Sequence, residues 1–307
     1  MISYYQKTIT TKRLKKLDAF VVGCWVHVEE PTEADLEVVE NTLKLDRGLF
    51  TDAVDQYEVP RVEVDNGVTY IFTRIPYKEG DQIYAAPVLV GVADTFVFTV
   101  CNKKLDLFER FVDGKLVFHT TQKVRFMLQI LLEIDKAYAQ YITRINKEVR
   151  QLSTGLSETM SNKDVIKFVG YETILNDLLD ALGPTSVALQ KLLSGKFLTL
   201  REEDKEFAED VHLESVQLVE LCRTNLRTIM NIRNAYSSIM TNNLNRVIKL
   251  LTSLTIVLMI PNIIVGFYGM NVALPFANAQ HAFLFVLLFT ALLTVITLSF
   301  FKSKELL

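Results

Sequence analysis

No charged residue interrupts Leu250 to Met270 or Ala282 to Phe301. Each run of about twenty apolar residues is long enough to cross a bilayer as a helix. The connecting loop, Val272 to His281, lacks Lys and Arg, whereas Arg246 and Lys249 precede the first run and Lys302 and Lys304 follow the second. By the positive-inside rule, both termini face the cytoplasm and the short loop faces out of a multi-pass plasma-membrane protein. The competing reading, a buried helical hairpin of a soluble protein, does not account for flanks biased in this way.

Glycine is missing from Lys196 to Val265, and the only proline there is Pro261. This predicts a helix that starts near Arg201 and runs unbroken into the first span, roughly 100 Å long at 1.5 Å per residue. A globular domain has no need of such a helix; a stalk between a cytoplasmic head and a membrane does. Cysteine is scarce: Cys24, Cys101 and Cys222 are far apart and form no C-x-x-C pair, which suits reduced thiols in a cytosolic head. The stretch Met1 to Phe20 has basic residues but no apolar core segment, so it does not read as a signal peptide. There is no Walker-type glycine-rich loop and no arguable Ser/His/Asp or Cys/His arrangement, so no enzymatic activity is expected. His27, His119, His212 and His281 are isolated, with no H-x-x-x-H spacing for zinc, and read as structural or surface histidines.

The chain has 307 residues, enough for two or three structural units. From residue 241 onward there are four basic residues and one acidic one, which leaves 29 basic and 35 acidic upstream out of totals of 33 and 36. The head is therefore mildly acidic, which suits cations and not nucleic acid.

Short β-branched or aromatic runs bounded by turn residues predict strands at Gly23–Val28, Arg61–Val64, Thr69–Arg74, Pro87–Val92 and Thr95–Val100. Asp65-Asn66-Gly67 reads as a hairpin turn, and Thr32 with Asp35 as a helix N-cap. Apolar residues recur at helical steps from Gln122 to Ser153. A second helix is expected from Asn162 to Leu182, with Gly183-Pro184 breaking it before a short segment to Leu193. The expected order is an α+β cytoplasmic domain over 1–118 and a cytoplasmic helical hairpin over 119–200. A stalk follows over 201–249, then transmembrane helices over 250–270 and 282–301 about the loop 271–281, and a basic tail over 302–307.

Heptad positions at the end of the long helix give Asn245, Thr252, Met259 and Gly266, and, three residues on, Ile248, Thr255, Asn262 and Gly269. Alternating steps of three and four place them on one face. Polar groups facing lipid are costly, so this stripe faces protein or water. Both helix association and a wet pathway predict the pattern. Upstream, the same positions hold Asn231, Asn234, Ser238 and Thr241, where a coiled-coil seam would prefer Leu and Ile, and this favours a wet axial channel. Two helices per chain cannot enclose a pore, so several subunits must contribute the stripe as a ring.

Tyr268-Gly269-Met270-Asn271, at the outer end of the first of two C-terminal spans, resembles the signature of the CorA family of magnesium channels. Met259, Pro261, the polar stripe, the long stalk, the basic tail and the α/β head extend the resemblance over essentially the whole chain. It implies a funnel-shaped homopentamer in a lipid bilayer that passes hydrated Mg²⁺, and with it Co²⁺ or Ni²⁺, into the cytosol. Asn271 would form a ring at the outer mouth, shaped by Gly269 and Met270. Asn245, Thr255, Met259 and Asn262 would line the path, narrowest at Met259. Asp210 falls where the family places a stalk carboxylate for regulatory Mg²⁺, with Asp81 or Glu79 of the next chain as partner. One departure is plain: the outer loop has no counterpart of the acidic Met-Pro-Glu-Leu segment of many CorA proteins, so no glutamate ring gathers cations.

This chemistry suits Mg²⁺, which binds hard oxygens and dehydrates reluctantly. Asn amides accept hydrogen bonds from its water shell without stripping it. The spans carry no charge for a proton relay, and the membrane potential can drive entry. The acidic stretch Glu202-Glu203-Asp204, Glu206 and Glu209-Asp210 is either a gating site or a solvated helix start. Two other functions stay open: a zinc carrier of the same superfamily, and a membrane-tethered sensor or scaffold that passes no ions.

Overall fold

A computed structural model describes the chain except for residues 12, 81, 155–160, 273, 276–279 and 305–307. It divides into two compact units, Met1–Ile232 and Arg233–Leu307.

The first unit is built on a seven-stranded sheet in the order β2-β1-β3-β7-β6-β5-β4. The strands are β1 (Ile2–Gln6), β2 (Lys15–Leu17), β3 (Trp25–Glu29), β4 (Arg61–Asp65), β5 (Val68–Glu79), β6 (Gln82–Val92) and β7 (Val97–Cys101). All neighbours pair antiparallel except β3 with β7. Alternation along the strands builds two cores. On one face, Val26, Val28, Leu89, Phe98 and Val100 pack with α1 (Glu33–Leu43) and α2 (Arg47–Val54). On the other, Trp25, Ile71, Ile75, Val88, Val90 and Val97 pack with α3 (Asp106–Val112), α4 (Lys123–Thr154), α5 (Asn162–Leu193) and the first part of α6 (Glu202–Tyr268).

Local signals in the sequence set several of these elements. Asn66 and Gly67 take positive φ values of 48° and 77°, and the two-residue turn pairs Asp65 with Val68. Thr32 Oγ1 accepts from the Asp35 N–H at 3.2 Å while Asp35 Oδ2 accepts from the Thr32 N–H at 2.9 Å, closing a capping box on α1. Gly91 has a packing reason: a Cβ there would stand 1.9 Å from the ring of Phe98 on β7.

Two strands lie beyond those expected, and one expectation needs correction. The N-terminal segment is woven into the sheet as β1 and β2, and Lys7, just past β1, is buried with its ammonium 4.9 Å from the centre of the Phe118 ring. Gly183-Pro184 does not end the second helix; α5 continues through Pro184 to Leu193. A proline inside a helix costs about 3 kcal/mol. Beyond it, Ala188, Leu189 and Leu192 are buried, and fully burying a leucine returns about 1.5–3 kcal/mol. Thr185 adds hydrogen bonds to Thr73 on β5 at 3.1 Å and to the carbonyl of Ala181 at 2.8 Å. Tertiary packing therefore overrides the local break.

The second unit holds the rest of α6 and α7 (Ala282–Ser303). Both helices are long and apolar enough to cross a membrane. α6 is continuous over 67 residues and includes Pro261.

Candidate functional site

In the apolar part of α6, Ser253 and Val257 are buried, at 4% and 5% exposure, and Ile260, Pro261 and Ile264 are half-buried. These residues recur every three or four positions and form one face. α7 runs beside it: Ile264, Phe267 and Tyr268 share a cleft with Phe285, Val286 and Phe289. On α7, Val286, Thr290, Leu293, Thr294 and Thr297 are half-buried, again at helical spacing. The three threonine hydroxyls donate to carbonyls four residues back at 2.7 to 2.9 Å, so none is left bare in an apolar seam. The sequence carried this signal in the steps 290, 294 and 297, overshadowed by the high hydropathy of the span.

The polar stripe of α6 lies on the other side. Asn245, Ile248, Thr252, Thr255, Met259, Asn262 and Gly266 are all exposed within the chain, Met259 at 54%. At 100° per residue its centre stands about 150° from the Ser253–Val257 face. The chain covers one side of the helix and leaves the opposite, oxygen-bearing side for something else. Thr255 Oγ1 donates to the Leu251 carbonyl at 2.8 Å, which spends its proton on the helix and leaves the oxygen an acceptor.

At the end of α6 the chain turns tightly. The Gly269 N–H donates to the Val265 carbonyl at 2.9 Å and the Met270 N–H to the Phe267 carbonyl at 3.2 Å. Tyr268 Oη donates to the Pro275 carbonyl at 3.2 Å and ties the following loop to the helix end. Met270 and Asn271 are exposed just beyond it.

The head carboxylates separate. Asp210 is exposed on α6. Glu79 is occupied: its Oε2 accepts from Lys103 Nζ at 2.7 Å. Asp81 lies outside the described residues. Among the described residues, no group of three or more His, Cys, Asp or Glu side chains is placed to hold a metal ion. Within the acidic stretch, Asp204 faces Arg125 of α4 at 3.8 Å.

Sequence reasoning missed the polar groups buried in the core on α4 and α6. Asp135 on α4 is 1% exposed, and burial, helped by the charge of Glu214 on α6, holds its carboxyl well above the usual range. Its Oδ2, Ser215 Oγ, Asn225 Nδ2 and His212 Nδ1 are buried without a hydrogen-bond partner among the described residues. The free thiols of Cys24, Cys101 and Cys222 are buried, and burial pushes that of Cys222 up to about 12. They are inert as nucleophiles.

A family model described as CorA-like Mg²⁺ transporter protein matches residues 22–303. The chain belongs to the CorA family. Membership makes it a membrane ion transporter and not an enzyme. It is similar to the cobalt/magnesium transport protein CorA of Methanocaldococcus jannaschii, 25% identical over 90% of this chain and 88% of that protein. The complete structure of the CorA magnesium transporter from the same organism superposes with a TM-score of 0.87, at 21% identity, over 98% of this chain and 97% of that one. The cytoplasmic domain of ZntB from Vibrio parahaemolyticus superposes with a TM-score of 0.63, at 11% identity, over 78% of this chain and 98% of that one. That likeness reaches the fold of the head and no further.

Proposed function

We propose that the chain forms a homo-oligomer, a pentamer by family resemblance, in which the α6 stripes of the subunits surround an aqueous path for hydrated divalent cations. Mg²⁺ is the chief cargo, with Co²⁺ and Ni²⁺ admitted by the same chemistry. The observation that carries this reading is the exposure of Thr252, Thr255, Met259 and Asn262 opposite the face that buries Ser253 and Val257. Lipid on that stripe would leave the Asn262 amide unsolvated at a cost of several kcal/mol. A ring of such stripes removes the cost and supplies acceptors to a hydrated ion.

Asn271 forms the outer mouth, presented by the Gly269–Met270 turn. Its amide oxygen takes hydrogen bonds from the ion's water shell, which is weaker than coordination by carboxylate and permits release. Met259 narrows the path with an apolar side chain. The termini face the cytosol and the loop faces out of the plasma membrane, as Arg246, Lys249, Lys302 and Lys304 favour. The membrane potential drives entry, at about 4.6 kcal/mol for a divalent ion per 100 mV.

Closure is assigned to cytosolic Mg²⁺ bridging Asp210 to a carboxylate of the neighbouring subunit. Exposure of Asp210 makes it available to such a partner. Asp81 is the better match, because Glu79 is already held by Lys103.

Reconstituted Mg²⁺ flux with and without Asn271→Ala tests the reading. The account expects flux well above empty vesicles in the parent chain and a loss of at least tenfold in the variant. Background flux in both would favour a tethered sensor or scaffold.

A further inference from the structure

The chain carries a net charge of −3, yet one cleft in the Met1–Ile232 unit is lined with the opposite sign. It lies between the end of β5, the residues after β7, and helices α3 and α4, and its volume is about 570 Å³. Lys78, Lys103, Lys104 and Arg110 line it with the acidic Glu79 and Asp106, and Arg110 is held at 3.0 Å by Glu133 outside the lining. Clefts of this volume are of the size that small ligands fill.

Two of these cations are held by carboxylates that a better anion can displace. Lys103 Nζ stands 2.7 Å from Glu79 Oε2, with side chains 36% and 61% exposed. Lys104 Nζ stands 2.6 Å from Glu109 Oε1, also at the surface. Exposed pairs of this kind are held weakly against water and salt. A phosphate group brings more charge and three acceptor oxygens, and its hydrogen bonds to ammonium groups are among the strong ones. Lys103 is also preplaced: its Nζ lies 4.4 Å from the centre of the Tyr77 ring and 3.4 Å from Tyr77 Oη, so little side-chain freedom is lost on binding. A metal ion is a poor fit, because Glu79 is paired with Lys103 and, among the described residues, no group of three or more His, Cys, Asp or Glu side chains is placed to hold one.

We propose that this cleft binds a small, multiply charged anion bearing phosphate groups, with Lys103 and Lys104 as its principal contacts. Seating the anion on Lys103 releases Glu79. The site lies wholly within the head and is independent of the ion path.

Isothermal titration of full-length protein in detergent, free of divalent metal and at moderate salt, tests the proposal with pyrophosphate and with ATP as probes. Saturable binding at one anion per chain is expected, weakened at least tenfold in Lys103→Gln/Lys104→Gln and unchanged in Lys196→Gln. Lys103→Arg/Lys104→Arg keeps the charges and should keep most of the affinity, which separates lost recognition from lost folding. Equal affinity for the two probes assigns recognition to the phosphates alone. Tighter ATP binding adds a contact to the rest of the nucleotide, with Tyr141 as the ring on the wall; both results sustain the site. Absence of saturable binding by either probe, or an affinity that the glutamine pair leaves unchanged, overturns it.

Discussion

Ser253 and Thr255 stand two residues apart on α6 and face opposite ways: Ser253 is buried and Thr255 is exposed. Two hydroxyl residues so close in sequence are therefore given different surroundings. The first joins the covered face of the helix, beside which α7 runs. The second belongs to a stripe that the chain itself does not cover, and the proposed ion path rests on that difference.

Asp210→Ala removes an exposed carboxylate of α6 while leaving the packed face of that helix intact. Losing one charge-assisted contact of about 1.5–3 kcal/mol should raise the cytosolic Mg²⁺ needed for closure by about tenfold or more. Flux measured against internal Mg²⁺ in vesicles checks this. An unshifted closing curve would remove Asp210 from the gating site and leave the conduction path untouched.

Asp135 gives the head a pH dependence of defined sign. Its folded-state carboxyl is raised by burial and by Glu214, so the folded form keeps a proton that the unfolded chain releases near pH 4. The stabilisation is fully present below that pH and is lost as pH rises towards the folded value. Asp135→Asn removes the linkage. Melting temperatures of parent and variant from pH 5 to 9 should diverge in favour of the variant as pH rises. A constant difference across that range would show that Asp135 does not titrate differently on folding.

Gly91→Ala tests the sheet that carries the head. Its Cβ would meet the Phe98 ring at 1.9 Å, and the ring is fully buried between strands and helices. Overpacking of this kind costs about 1–3 kcal/mol, and more where backbone must move. A lowered melting temperature, partly restored by Phe98→Leu in the same chain, is the expected result. An unchanged melting temperature would mean that the ring can move aside freely.

Much of this architecture is legible in the sequence wherever the determinant is local. Asn66-Gly67 fixes a turn, Thr32 and Asp35 fix a helix start, and the absence of glycine over Lys196–Val265 announces α6. The misses are tertiary. Ile2-Ser3-Tyr4-Tyr5-Gln6 is a short strand amid polar sequence, and it becomes one because β3 and β2 pair on either side. Pro184 reads as a stop, and only the burial of Leu189 and Leu192 shows why the helix continues. Asp135 looks like any charged residue on an amphipathic helix until its surroundings are known. The α6 stripe was readable because helical periodicity alone puts it on one face. That α7 leaves this face bare required the structure.

Labelling of single cysteines in α6 tests the central claim most directly. With the protein reconstituted at low Mg²⁺, Thr255→Cys and Asn262→Cys should react with a water-soluble thiol reagent. Leu254→Cys, exposed on a different face of the helix, should not. Failure of both stripe positions to react at any Mg²⁺ concentration would mean that the stripe is sealed in dry contacts, and the water-filled path would have to be abandoned.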